Sequence, residues 1–177
     1  MGTDSIKLFN KALADEIFAM EQEPLTRFLA ENVDAFKRKK YCFNPLLLEM
    51  EQNGGSVSDV VERLLTEEYT LAELEKEVAR DLAFGEEEIY LDYWGCYVAV
   101  FDGHPVGSIS SLSYLPNEEE ETFILLQATH LHQMIDSLYA HVDDLKVMDR
   151  EQIKKVEGWR DYCVANPGYM VAYLFDF

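Results

Sequence analysis

The chain closes on Tyr169 to Phe177, YMVAYLFDF, in which Asp176 is the single charged side chain. A sheet with one wet face alternates apolar and polar residues, so a run without alternation suits a strand covered on both faces. Such a strand needs layers above and below it, which the rest of the chain must supply.

The first half reads as helices. Ile6, Phe9, Leu13, Ile17 and Met20 recur at steps of three and four, which predicts an amphipathic helix from Asp4 to about Glu21, capped by Thr3 or Asp4. Pro24 suits the start of a second helix, which carries Leu25, Phe28, Leu29, Val33 and Phe36 and ends in the basic run Lys37 to Lys40. A third is expected from Asn44 and Pro45 to Gly54 and Gly55, and a fourth capped by Ser58 with Val60, Val61, Leu64 and Leu65 inward. From Thr70 to Gly85, Thr70 and Glu73 form a capping-box pattern, Leu71, Leu74, Val78 and Leu82 line one face, and Gly85 is a stop.

The second half changes character. Ile89 to Tyr93 and Gly95 to Phe101 are aromatic and β-branched, Asp102 to Pro105 is a turn, and Val106 to Tyr114 continues as a strand. TFILLQA, from Thr122, fits either a strand or the start of a helix through Leu131, Met134, Ile135, Leu138 and Val142. Asp149 to Ala165 is a further helix with Ile153, Val156, Trp159 and Cys163 inward. The expected fold class is α+β: a helical N-terminal half, then a small, mostly antiparallel sheet packed by C-terminal helices. With 177 residues this is one domain, 1–177, helical over residues 1–85 and sheet-containing over residues 86–177.

No catalytic motif stands out. The chain lacks G-x-S-x-G, G-x-x-x-x-G-K-[ST] and G-x-G-x-x-G, so neither a hydrolase elbow nor a phosphate cradle is expected. Cys42, Cys96 and Cys163 are odd in number and contain no C-x-x-C, which suits free thiols in a reducing compartment. His130 and His132 share a face on a strand but stand about 200° apart on a helix, where they cannot hold one metal together. GCYVAVFDGHPVGSISSL, Gly95 to Leu112, resembles the strand–turn–strand of acyl-CoA-dependent N-acetyltransferases over about a tenth of the chain. That family's downstream Q/R-x-x-G-x-G/A loop, which cradles the CoA pyrophosphate, has no counterpart in 116–177, so the stretch is read as a hairpin and no cofactor is expected. The N-terminus has no apolar stretch of signal-peptide length and no apolar run nears a membrane span, which gives the expectation of a cytoplasmic protein.

Charge is the functional signal. Asp and Glu number 34 against 15 Lys and Arg, a net charge of -19. The excess is patterned: residues 59–92 hold 12 acids and 3 bases, 116–177 hold 12 and 5, and 93–115 hold Asp102 alone. Such a field repels nucleic acid and anionic membranes and attracts basic proteins. Glu73, Glu77 and Asp81 recur at steps of four on the predicted 70–84 helix, and Glu75, Glu86, Glu87 and Glu88 extend the acidity past its end. Carboxylates at a helix C-terminus oppose the helix dipole, and like charges at that spacing repel, so the region accepts small penalties. Glu118, Glu119, Glu120 and Glu121 form a second concentration, and Tyr93 and Trp94, with Tyr90 and Tyr114 nearby, are aromatic anchors of the kind interfaces favour.

This composition resembles that of DNA-mimic antirestriction and anti-CRISPR proteins and of acidic nuclease-immunity proteins. The resemblance implies a non-enzymatic inhibitor of a basic partner, a nuclease or a restriction or CRISPR effector, with no direct contact to nucleic acid or membrane. Two other readings are a small enzyme with an unrecognised, metal-dependent site near His130 and His132, and a structural accessory subunit.

Overall fold

A computed structural model describes residues 5–38, 45–91, 111–113, 122–143 and 148–174. In chain order the elements are β1 (Ser5–Asn10), α1 (Lys11–Phe18), α2 (Gln22–Arg38), α3 (Pro45–Asn53), α4 (Val57–Glu67), α5 (Leu71–Ala83), β2 (Phe84–Tyr90), β3 (Ser111–Ser113), β4 (Thr122–Leu126), α6 (Ala128–His141), α7 (Arg150–Ala165) and β5 (Tyr169–Leu174). The fold class is α+β, with helices in the N-terminal half and, among the described residues after them, sheet strands and two helices.

Two compact units make up the chain. One comprises Met1–Asn10 and Gly85–Phe177, the other Lys11–Phe84. The first holds a five-stranded sheet in the order β2-β1-β5-β4-β3, so β5 lies at its centre. It runs antiparallel to both β1 and β4, and β3 is antiparallel to β4. Val171, Ala172 and Tyr173 are consecutive and all 0% exposed, which requires cover on both faces and agrees with the unalternated sequence of this strand.

The register explains which residues meet. Ile6 stands opposite Tyr173 and Leu8 opposite Val171, while Leu126 meets Val171 from the other side. These residues share one face with Ile89 and Leu91, and that face forms a core with Leu131, Met134, Ile135 and Leu138 of α6 and Ile153, Val156, Trp159 and Cys163 of α7. On the opposite face Phe9, Leu125 and Ala172 are buried as well.

The helix predicted over 4–21 does not form as one element: Ser5–Asn10 is the strand β1, and among the described residues of that span only Lys11–Phe18 is helical. Ile6 and Phe9, three apart, match a helical step, but they point to opposite faces of a strand buried on both. Where both faces are covered, the period of two is invisible, and pairing with β5 decides the outcome. The open choice for 122–128 resolves into strand β4 followed by α6.

In the second unit, Ala14 and Ile17 of α1, Leu25, Leu29 and Phe36 of α2, Val60, Val61 and Leu64 of α4, and Leu74, Val78 and Ala79 of α5 are buried. Helix α5 packs on α1 and α2, and α4 packs on α2 and α3. Lys37 and Arg38 occupy the last turn of α2, as the basic run predicts. Gly54 and Gly55 take φ of 67° and 104°, a left-handed turn that ends α3. The cap of α4 is Ser56 rather than Ser58: its hydroxyl accepts from the Asp59 amide, and Asp59 in turn accepts from the Ser56 amide at 3.0 Å. Arg63 then ties α4 to α3, donating to Glu49 at 2.7 Å and to the Gly54 carbonyl at 2.5 Å.

Gly85 does not stop α5 from outside. The helix ends at Ala83, and Gly85 lies within β2, where a Cβ would come within 3.3 Å of the Leu8 Cβ. It permits the close approach of β2 to β1. The 11–84 unit is therefore an insertion between two neighbouring strands of the sheet. The predicted strand Gly95–Phe101 and the Asp102–Pro105 turn lie outside the described residues; of the predicted 106–114 strand, Ser111–Ser113 is described and is β3.

Gly158 lies in the interior of α7, is exposed, and has open space where a Cβ would stand. Replacing Gly158→Ala removes backbone freedom from the unfolded chain and is expected to raise stability by about 0.5–1 kcal/mol. Thermal unfolding checks this; a lower midpoint would contradict an open helical position.

Candidate acidic contact surface

The carboxylate stripe of α5 begins at its N-cap. Thr70 donates its amide and its hydroxyl to the Glu73 carboxylate at 2.7 and 2.9 Å, and the Glu73 amide donates back to the Thr70 hydroxyl at 3.3 Å. The Thr70 amide and hydroxyl hold the Glu73 carboxyl below its ordinary range. Glu73 is thus a structural cap as well as a surface charge.

The stripe does not stay on the surface. Four residues advance about 400° around a helix of 3.6 per turn, so each step drifts about 40°. Over two steps that carries the row toward the face of Leu74 and Val78. Glu73 and Glu77 are half-buried, and Asp81 is 3% exposed. What the four-residue spacing cannot express is this rotation into the interior.

The structure instead gathers a group at the corner between α4 and α5. The Glu68 and Tyr69 amides both donate to the Leu64 carbonyl, at 3.0 and 2.8 Å, which folds the chain tightly there. Burial, then the charges of Glu77, Glu68 and Glu73, push the Tyr69 phenol up. The charges of three carboxylates therefore act on one half-buried phenol. Sequence spacing does not single out Glu68, because the turn that brings it to α5 leaves no periodic signal.

Glu86, Glu87 and Glu88 do not extend α5. They lie in β2, so the expected clash with the helix dipole does not arise. Glu86 and Glu87 are exposed, and Glu87 pairs with Lys155 of α7. Glu88 is half-buried and accepts from Ser5 at 2.6 Å and from the Tyr90 hydroxyl at 3.1 Å, with Lys7 at 3.3 Å. Burial works against the Glu88 charge, but the Ser5 hydroxyl, Lys7 and Tyr90 outweigh it and hold the carboxyl below its ordinary value. The Glu88 charge in turn pushes the Tyr90 phenol up. Tyr90 is 55% exposed and remains a surface aromatic beside Glu88. Ser5 and Lys7 are separated from Glu88 by the whole insertion, so sequence offers no sign of this group.

Tyr93, Trp94 and Glu118, Glu119, Glu120 and Glu121 lie outside the described residues, as do Cys42, Cys96 and His104. His130 and His132 are on helix α6. His130 is buried, and its Nδ1 accepts from the Gln127 amide at 3.2 Å; His132 is exposed, with its Nδ1 3.4 Å from Arg160. Among the described residues no three His, Cys, Asp or Glu side chains are grouped to hold a metal. Cys163 is buried in the core, and burial pushes its thiol up to about 11, the opposite of an activated nucleophile. No helix among the described residues is long and apolar enough to cross a membrane.

Comparison of the chain with protein-family models, with curated proteins and with solved structures returns no significant match.

A lowered Glu88 carboxyl stabilises the fold in its charged form. The contribution is present above the ordinary carboxylate range and is lost as pH falls through the folded value. Glu88→Gln is expected to be less stable than the parent at pH 7, with the difference shrinking as pH falls below the ordinary carboxylate range. Urea unfolding across that range checks it; a constant difference would show that the charge contributes nothing.

Proposed function

We propose that this chain is an acidic, non-enzymatic binding protein of the cytoplasm, which inhibits a basic nucleic-acid-processing protein in the manner of antirestriction, anti-CRISPR or nuclease-immunity proteins. The observation that carries the reading is the carboxylate surplus. If every Lys and Arg neutralised one acid, 19 carboxylates would still lack a cation. Several bases are already committed within the fold: Lys7 to Glu88, Arg63 to Glu49, Lys11 to Asp15 and Lys155 to Glu87. The surplus is present in both units, with 18 acids against 6 bases in the sheet unit and 16 against 9 in the helical one.

Charge of this size opposes compaction and lowers stability, and its physical return is attraction of a cationic partner. Duplex DNA presents one charge per about 1.7 Å of axis, and closely grouped glutamates approach that density. The face of choice within the helical unit is the α4–α5 corner, where the charges of Glu77, Glu68 and Glu73 act together on Tyr69. In the sheet unit it is exposed Glu86 with Tyr90.

Inhibition of purified basic nucleases and restriction complexes, measured across salt, tests the reading. Association is expected to slow steeply between about 50 and 300 mM salt. The triple change Glu68→Gln, Glu73→Gln and Glu77→Gln is expected to slow it by about tenfold or more at low salt, with little effect on folding because glutamine keeps the Thr70 cap. A complex insensitive to salt and to these changes would argue against an electrostatic inhibitor.

A further inference from the structure

Glu75 stands apart from the other acids of α5. Two residues on a helix are separated by about 200°, so Glu75 lies nearly opposite both Glu73 and Glu77. It is 7% exposed, and among the described residues no hydrogen bond or ion pair reaches its carboxylate. Neither carboxylate oxygen is sealed from solvent. The side chain is thus a recessed carboxylate, buried along its stem and open at its tip. Burial pushes its carboxyl up.

A carboxylate held this way lowers the stability of the free protein at neutral pH, because it has lost part of its hydration and, among the described residues, gained no donor. Glutamine or a small apolar residue would fill the position at less cost. The penalty is relieved when a cation arrives from outside, since a desolvated charge pair is strong where a rim pair is weak. Guanidinium suits a recessed seat better than ammonium: it is more weakly hydrated and offers parallel donors to both carboxylate oxygens.

We propose that Glu75 is the seat for an arginine side chain of the basic partner. This rests on the reading of a basic partner given above. In that complex the exposed acids steer the approach, and Glu75 fixes one arginine in place.

Calorimetric titration of the full chain with a deca-arginine peptide at low salt tests the seat, with Glu75→Gln compared against Glu62→Gln. Glu62 is an exposed acid of α4, so the two variants lose the same net charge. Glu75→Gln is expected to weaken the peptide by about tenfold, the size of one lost charge-assisted contact, and Glu62→Gln by about twofold or less. Thermal unfolding provides a second readout: Glu75→Gln is expected to raise the midpoint while lowering affinity, and Glu62→Gln to leave it unchanged. Equal loss of affinity in both variants would remove the seat and leave the acidic-surface reading intact. No measurable binding of the peptide by the parent chain would overturn both.

Discussion

Pairing of β1 with β5 is the constraint on which the rest of the structure depends. It sets the first described strand against the last, in the middle of the sheet, with Ile6 opposite Tyr173 and Leu8 opposite Val171. This is a long-range pairing, formed only after loop closure over most of the chain. Once it exists, β2 returns beside β1, and residues 11–84 become an insertion between neighbouring strands. The core beneath α6 and α7 then follows, since Ile6, Leu8, Val171 and Tyr173 supply its floor.

The same pairing assigns work to the acids. Glu88 meets Ser5 and Lys7 only because β1 and β2 are adjacent, and Glu87 meets Lys155 because α7 covers that face of the sheet. Glu73 caps α5, Asp59 caps α4, and Glu49 receives Arg63. A fraction of the negative charge is therefore structural. The remainder has no internal partner to meet, since acids outnumber bases by more than two to one. That remainder sustains the proposal of a basic partner.

Legibility in the sequence divides along physical lines. Local chemistry is readable: the Thr70–Glu73 capping box, the basic end of α2, and the inward row Ile153, Val156, Trp159 and Cys163 of α7 all stand where spacing places them. The double burial of β5 is readable because the strand lacks alternation. The strand β1 is not, since Ile6 and Phe9 are buried on opposite faces and imitate a helical step. The burial of Asp81 escapes a sequence reading because steps of four look like a fixed stripe on paper and rotate on a real helix. The groups around Glu88 and Tyr69 depend on a strand pairing and a tight turn, and neither has a periodic mark.

Backbone amide hydrogen exchange over residues 5–10 tests the central pairing most directly. If β1 lies in the middle of the sheet, its hydrogen-bonded amides exchange as slowly as those of β5, at the rate of global unfolding. Exchange of those amides near the rate of a free peptide, or secondary chemical shifts of a continuous helix from residue 4 to 21, would contradict it.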